Sequence, residues 1–207
     1  LLQEEIQGLG IQEIEKFPIL KNKEAVSDYF KTVDKRFTIG IGNPVLRKKI
    51  AYQFEQLGGI FTSTVSPLAQ IGHFGNTIGA GCNIMTGAVI TNDVKIGNGV
   101  LINLNCTVGH DSSLGDFVEM SPGVHISGNC KVGAYSNIGT NATILPKVNI
   151  GENVIIGAGS IVTRDIKPWA IYFQNKIIGY RNKEDVLKNY EKFLATPENE
   201  RVGSLFK

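Results

Sequence analysis

Apolar residues recur at every sixth position through the middle of the chain. From Ile78 onward, Ile84, Ile90, Ile96, Ile102, Val108, Leu114, Met120, Ile126, Val132, Ile138, Ile144, Ile150, Ile156 and Val162 follow without a gap. Two residues before each stands a small or β-branched side chain, from Cys82, Ala88 and Val94 to Val154 and Ser160, with Asn76 as the exception. A period of six matches neither the 3.6 of a helix nor the 2 of a strand. Each hexad therefore reads as a short strand and a tight turn, with the large and the small residue both facing inward. Glycine is frequent one residue after the large position and recurs at every third hexad, at Gly79, Gly97, Gly115, Gly133 and Gly151. That longer period closes three hexads into a triangular coil, with glycine expected to supply backbone freedom at one corner. Five such coils would stack into a prism roughly 24 Å tall, at about 4.8 Å per strand. One residue too many separates Ile71 from Ile78, which predicts a start near Val65 and a small bulge around residues 74 and 75. The fold class expected is mainly β, a left-handed parallel β-helix in which no coil can bury its core alone.

The flanks read differently. Residues 17–20 are extended, and 23–30 carry a helical pattern. A mostly apolar strand over 36–41 leads to Gly42-Asn43-Pro44, where Asn43 suits a helix N-cap and Pro44 a first turn. That helix should run to about Leu57, end at Gly58-Gly59 and pass into a strand over 60–65. After the repeats, Pro168-Trp169 breaks the pattern, and residues 183–194 predict an amphipathic helix. The expected organisation is a small N-terminal α/β domain (1–64), a β-helix domain (65–167) and a C-terminal extension with a helix (168–207).

The net charge of +2 with no basic run argues against a nucleic-acid surface. No apolar stretch reaches the roughly 20 residues needed to span a bilayer. Cys82, Cys106 and Cys130 are an odd set without CxxC spacing, which fits a reducing cytoplasm rather than a disulfide framework or a zinc site. All three occupy the small inward position, where Cys acts as a compact hydrophobe. The opening Leu1-Leu2-Gln3 has no Met and no signal pattern, so part of the native N-terminus is expected to lie outside the chain.

Candidate chemistry centres on the histidines His73, His110 and His125. His110 falls at a corner, pointing away from the core, and the adjacent Asp111 could hold its imidazole in one tautomer and raise its basicity. Asp93, three hexads earlier, should lie one coil below Asp111. The same residues also read as a surface histidine in a polar turn. His125 projects outward from a strand and His73 sits in the irregular first coil. The three do not converge as metal ligands must, so no metal is expected. The strand, glycine turn and helix N-terminus around Gly40 and Gly42 outline either an anion site or a plain βα connection.

IGIGNPVLRKK (39–49), TVGHDSSLGDF (107–117), SPGVHISGNCKVG (121–133) and IGTNATILP (138–146) together resemble the bacterial hexapeptide acyltransferases. These N-acetylate nucleotide-linked amino sugars, and relatives O-acetylate sialic acid. The resemblance covers about residues 37–165. It implies a homotrimer with acetyl-CoA between adjacent prisms, His110 as general base and Asp111 as the acid that raises its basicity. It also implies cofactor contacts at Thr140 and Ala158, and contacts of Gly42 and Asn43 with the sugar nucleotide. Glu119 is carried over as a cofactor-binding position, where members can have a histidine. The family's N-terminal glycine-rich strand is not recognisable in residues 1–20. The expected activity is direct acetyl transfer to the amino group of a nucleotide-linked amino sugar. O-acetylation of sialic acid or another sugar hydroxyl, and a non-catalytic trimeric β-helix, are the alternatives.

Overall fold

The computed structural model describes residues 13, 14 and 17–184. The chain divides into two compact units, one of Leu1–Lys35 with Asn182–Lys207 and one of Arg36–Arg181. In the first, β1 (Glu13–Ile14) pairs antiparallel with β2 (Phe17–Pro18). Helix α1 (Lys23–Thr32) follows, capped by Asn22, whose side chain accepts from the Ala25 N–H at 2.8 Å. Beyond Glu184 the expected C-terminal helix lies outside the described residues.

The second unit opens with a parallel strand–helix–strand: β3 (Arg36–Phe37), α2 (Pro44–Gln56) and β4 (Ile60–Phe61). As the sequence predicts, Asn43 caps α2, accepting from the Leu46 N–H at 3.0 Å, with Pro44 in the first turn. The chain then climbs a left-handed β-helix whose two-residue strands run from Thr64–Val65 to Ile161–Val162. The first face stacks the strands of Thr77, Lys95, Ser113, Lys131 and Asn149, and the second those of Thr64, Asn83, Leu101, Glu119, Asn137 and Ile155. The third stacks those of Gln70, Val89, Thr107, His125, Thr143 and Ile161. A terminal hairpin, Ala170–Phe173 with Lys176–Tyr180, extends the second face.

From Cys82 to Val162 both inward positions of each hexad are buried, all under 5% exposed, the apolar ones in one continuous core. The phase slip is real. Thr77 pairs with Lys95, three hexads ahead, whereas Thr64 and Gln70 pair with Asn83 and Val89, each one position further along than that spacing.

The corner glycines have a different role from the one expected. Positive φ recurs at every sixth position, but at Gly81, Gly87, Asp93, Gly99, Asn105 and Asp111 and onward, one residue before the small inward position. Asn and Asp fill many of these sites because their short side chains tolerate the left-handed region. The glycine column at 79, 97, 115, 133 and 151 has no positive φ. A Cβ on Gly115 would lie 2.6 Å from the Ala134 nitrogen, and one on Gly133 2.4 Å from the Glu152 nitrogen. Close approach of successive coils, not conformational freedom, demands glycine there.

Candidate active site

Phe117 (φ 57°) and Tyr135 (φ 59°) hold left-handed corners on the edge between the first and second faces. Their rings stack at 5.9 Å, and Phe117 stacks in turn on Phe61 at 6.4 Å. Phe61 stacks on Phe37, which meets Phe54 of α2 in a T-shaped pair. Lys48 of α2 lies over the Tyr135 ring and donates to its hydroxyl at 2.7 Å. Arg47 completes the attachment. Fully buried, it donates to the carbonyls of Gly99, Phe117 and Val118 on the prism and of Ile41 and Gly42 in the loop before α2. Burial draws its pKa down to about 10 despite the nearby Glu119 carboxylate.

This mounting sets the Gly42–Asn43 loop on the second face, against Glu119. A Cβ on Gly42 would sit 2.7 Å from Glu119 Oε1, so the glycine leaves room for the carboxylate. Glu119 Oε2 accepts from Asn137 Nδ2 at 2.8 Å. Burial pushes the Glu119 carboxyl up, opposed by Arg47 and by the Asn137 hydrogen bond. Lower on the same face, Asn83 donates to the Ile39 carbonyl at 2.7 Å and accepts from Thr38 and Thr64, anchoring the start of the loop.

His110 and Asp111 occupy the edge between the third and first faces, where the His110 Nδ1 and Asp111 Oδ2 lie 2.7 Å apart. Both side chains are open to solvent, 64% and 55% exposed. With Nδ1–H donated to the carboxylate, Nε2 is left with a free lone pair. The ring lies against Gly128 of the next coil. Asp93 does lie one coil below Asp111, but its Oδ1 turns away to the backbone at Gly75. Thr140 and Ala158 stack, exposed, on the edge between the second and third faces. One chain therefore pairs His110 with Asp111 and Glu119 with Gly42, while Thr140 and Ala158 stand on the other edge of the third face. His125 projects from that face as expected, its Nδ1 3.0 Å from the Thr107 hydroxyl. The cysteines are buried and free, and burial pushes each thiol up, which keeps it protonated and poorly nucleophilic. Among the described residues no cluster of His, Cys, Asp and Glu could hold a metal ion, and no helix is long and apolar enough to cross a membrane.

Arg47, Asn137 and Gly128 are the site residues that sequence reasoning missed. For Gly128 there was a usable signal, since it stands three hexads after His110 and so directly above it in register.

Residues 129–164 match the family model described as bacterial transferase hexapeptide (six repeats). Those coils carry the transferase hexapeptide repeat. Solved structures extend the similarity well beyond them. PerB from Caulobacter crescentus, in complex with CoA and GDP-perosamine, is 26% identical with a TM-score of 0.77, over 85% of this chain and 90% of its own. The acetyltransferase domain of PglB from Neisseria gonorrhoeae is 29% identical with a TM-score of 0.73, covering 80% of each chain. WeeI from Acinetobacter baumannii is 28% identical with a TM-score of 0.74, over 82% of this chain and 81% of its own. No curated protein sequence matches the chain.

Proposed function

We propose that this chain is an acetyl-CoA-dependent acetyltransferase acting on the amino group of a nucleotide-linked amino sugar. The observation that carries the reading is the His110–Asp111 pair, an imidazole whose Nδ1 is held by a carboxylate at 2.7 Å on an exposed edge. The perosamine enzyme of similar fold, crystallised with CoA and GDP-perosamine, supports the substrate class. In the proposed reaction Nε2 accepts a proton from the acceptor amine as nitrogen attacks the thioester carbonyl. The C–N bond forms, the C–S bond breaks, and the thiolate leaves to be protonated. Coil-corner amides would stabilise the oxyanion. No covalent enzyme intermediate is involved, in keeping with the buried, protonated thiols.

The working assembly is a homotrimer packed on the third face. Six large apolar side chains are exposed on that face or its two edges: Leu68, Phe74, Met85, Leu104, Leu145 and Ile161. The outward residues of the first face (Thr77, Lys95, Ser113, Lys131 and Asn149) are all polar. Association through the third face would bring the His110 edge of one copy beside the Thr140–Ala158 edge of another, with acetyl-CoA between them. Glu119 would border that groove, and Gly42 and Asn43 would contact the nucleotide sugar.

The test is CoA release from acetyl-CoA with a panel of nucleotide-linked amino sugars, and sialic acid alongside. Rapid release with one amino sugar, reduced at least about a hundredfold in His110→Ala, is the expected result. Release with sialic acid alone would move the activity to oxygen. A folded trimer that releases no CoA, whichever acceptor is offered, would leave a scaffold.

A further inference from the structure

Two residues after each large inward side chain, the chain reaches the outermost point of a corner. Over the fifteen hexads from Ile78 to Val162 this position holds side chains as different as Asn92, Leu104, Asp116, Pro122 and Glu152, and glycine once, at Gly128. The backbone does not require glycine there, because Gly128 is not among the residues with positive φ. Nor does close approach of the coils, as it does for the column at Gly115 and Gly133. The three atoms nearest to a Cβ built on Gly128 all belong to the His110 ring: Nε2 at 2.7 Å, Cε1 at 2.8 Å and Cδ2 at 3.0 Å. The outer edge of the imidazole thus occupies the volume that a side chain at 128 would fill.

We propose that Gly128 is the positioning residue for the base, an assignment that rests on the reading of His110 above. The hydrogen bond from Nδ1 to Asp111 fixes the tautomer, but between two solvent-exposed side chains it leaves the ring free to pivot. Gly128 supplies the second point of support, on the edge that carries Nε2. Carbon atoms pack at about 3.5–4.0 Å, so a methyl group at 128 would push the ring roughly 1 Å outward. The ring ends an exposed side chain and can move, so the methyl displaces the base without unfolding the coil.

The experiment is Gly128→Ala in the whole chain, alone and combined with His110→Ala. The expected result is a crystal structure with the imidazole moved off residue 128, an unchanged melting temperature, and a kcat lowered about a hundredfold. KM values for acetyl-CoA and acceptor should stay within about twofold. Adding Gly128→Ala to His110→Ala should cost nothing further, because the glycine acts only through the ring. An unmoved ring with unchanged kcat, or a further loss of activity on top of His110→Ala, would overturn the proposal. Full activity in His110→Ala would instead remove the base reading, and the ring position in Gly128→Ala would still report on the seat.

Discussion

The small inward position of each hexad does more than fill space. Ser136 Oγ donates to the Gly151 carbonyl at 2.9 Å and accepts from the Val154 N–H at 3.1 Å, and Ser112 bridges Ser127 and Cys130 in the same way. The cysteines follow suit, with Sγ–H groups directed at the carbonyls of Gly97, Ser121 and Leu145 at 3.1–3.2 Å. Reading them from sequence as compact hydrophobes captured their burial and missed this bond, because the acceptor belongs to the next coil and is near only once the coils are stacked. Ser160 is the exception, a buried hydroxyl without a partner, since the prism gives way to the terminal hairpin just where its acceptor would lie. Ser160→Ala should therefore be neutral or stabilising by up to about 1 kcal/mol, while Ser136→Ala, which orphans the buried Val154 N–H and the partly buried Gly151 carbonyl, should cost about 1–3 kcal/mol. Urea denaturation of both variants checks the contrast.

At the scale of the element, the sixfold pattern determined strand after strand, because a buried position tolerates little besides an apolar side chain. The glycines were legible as a column but not in their role. A glycine in every third hexad shows that something is required, and cannot tell a left-handed corner from a close approach of backbones. Gly115→Ala should be destabilising by several kcal/mol, as the Cβ meets main-chain atoms that cannot give way. Gly40→Ala, with nothing within 4 Å of the new carbon, should stay within about 0.5 kcal/mol. Thermal melts of the pair test this. Helix α2 was predicted from its cap and its first-turn proline, yet nothing local announced its docking. The bonds from Arg47 to Phe117 and Val118 span 70 and 71 residues, and a lone arginine in a helix gives no sign of burial.

For the whole molecule, the unequal faces matter most. The third face presents Val89 and Ile161 among polar outward residues, and its edges carry the exposed Leu68, Met85, Leu104, Phe74 and Leu145; set beside a first face whose outward residues are all polar, this predicts association through the third. Leu104→Glu, at an exposed edge position, should leave the coil folded by circular dichroism. It should also shift the mass in analytical ultracentrifugation from trimer to monomer and abolish acetyl transfer. An active monomer would show that one chain holds the complete site. The His110–Asp111 pair was legible because its members are sequence neighbours. For Gly128 the sequence offered only a register position, three hexads after His110; that its missing side chain makes room for the ring appears only when successive coils are laid one on another.

The extra residue of the first coil lies on the same vertical edge as His110 and Asp111, two coils lower. The chain took up that surplus at a corner, and the strands above it up to Ile161–Val162 kept their eighteen-residue register. Corners are thus where such a prism can gain length without rotating its faces, whereas one surplus residue inside a strand would turn a buried row outward. A lineage of such proteins could therefore grow binding loops on the histidine edge by insertion, remodelling the acceptor it reaches while the pitch of the scaffold stays untouched.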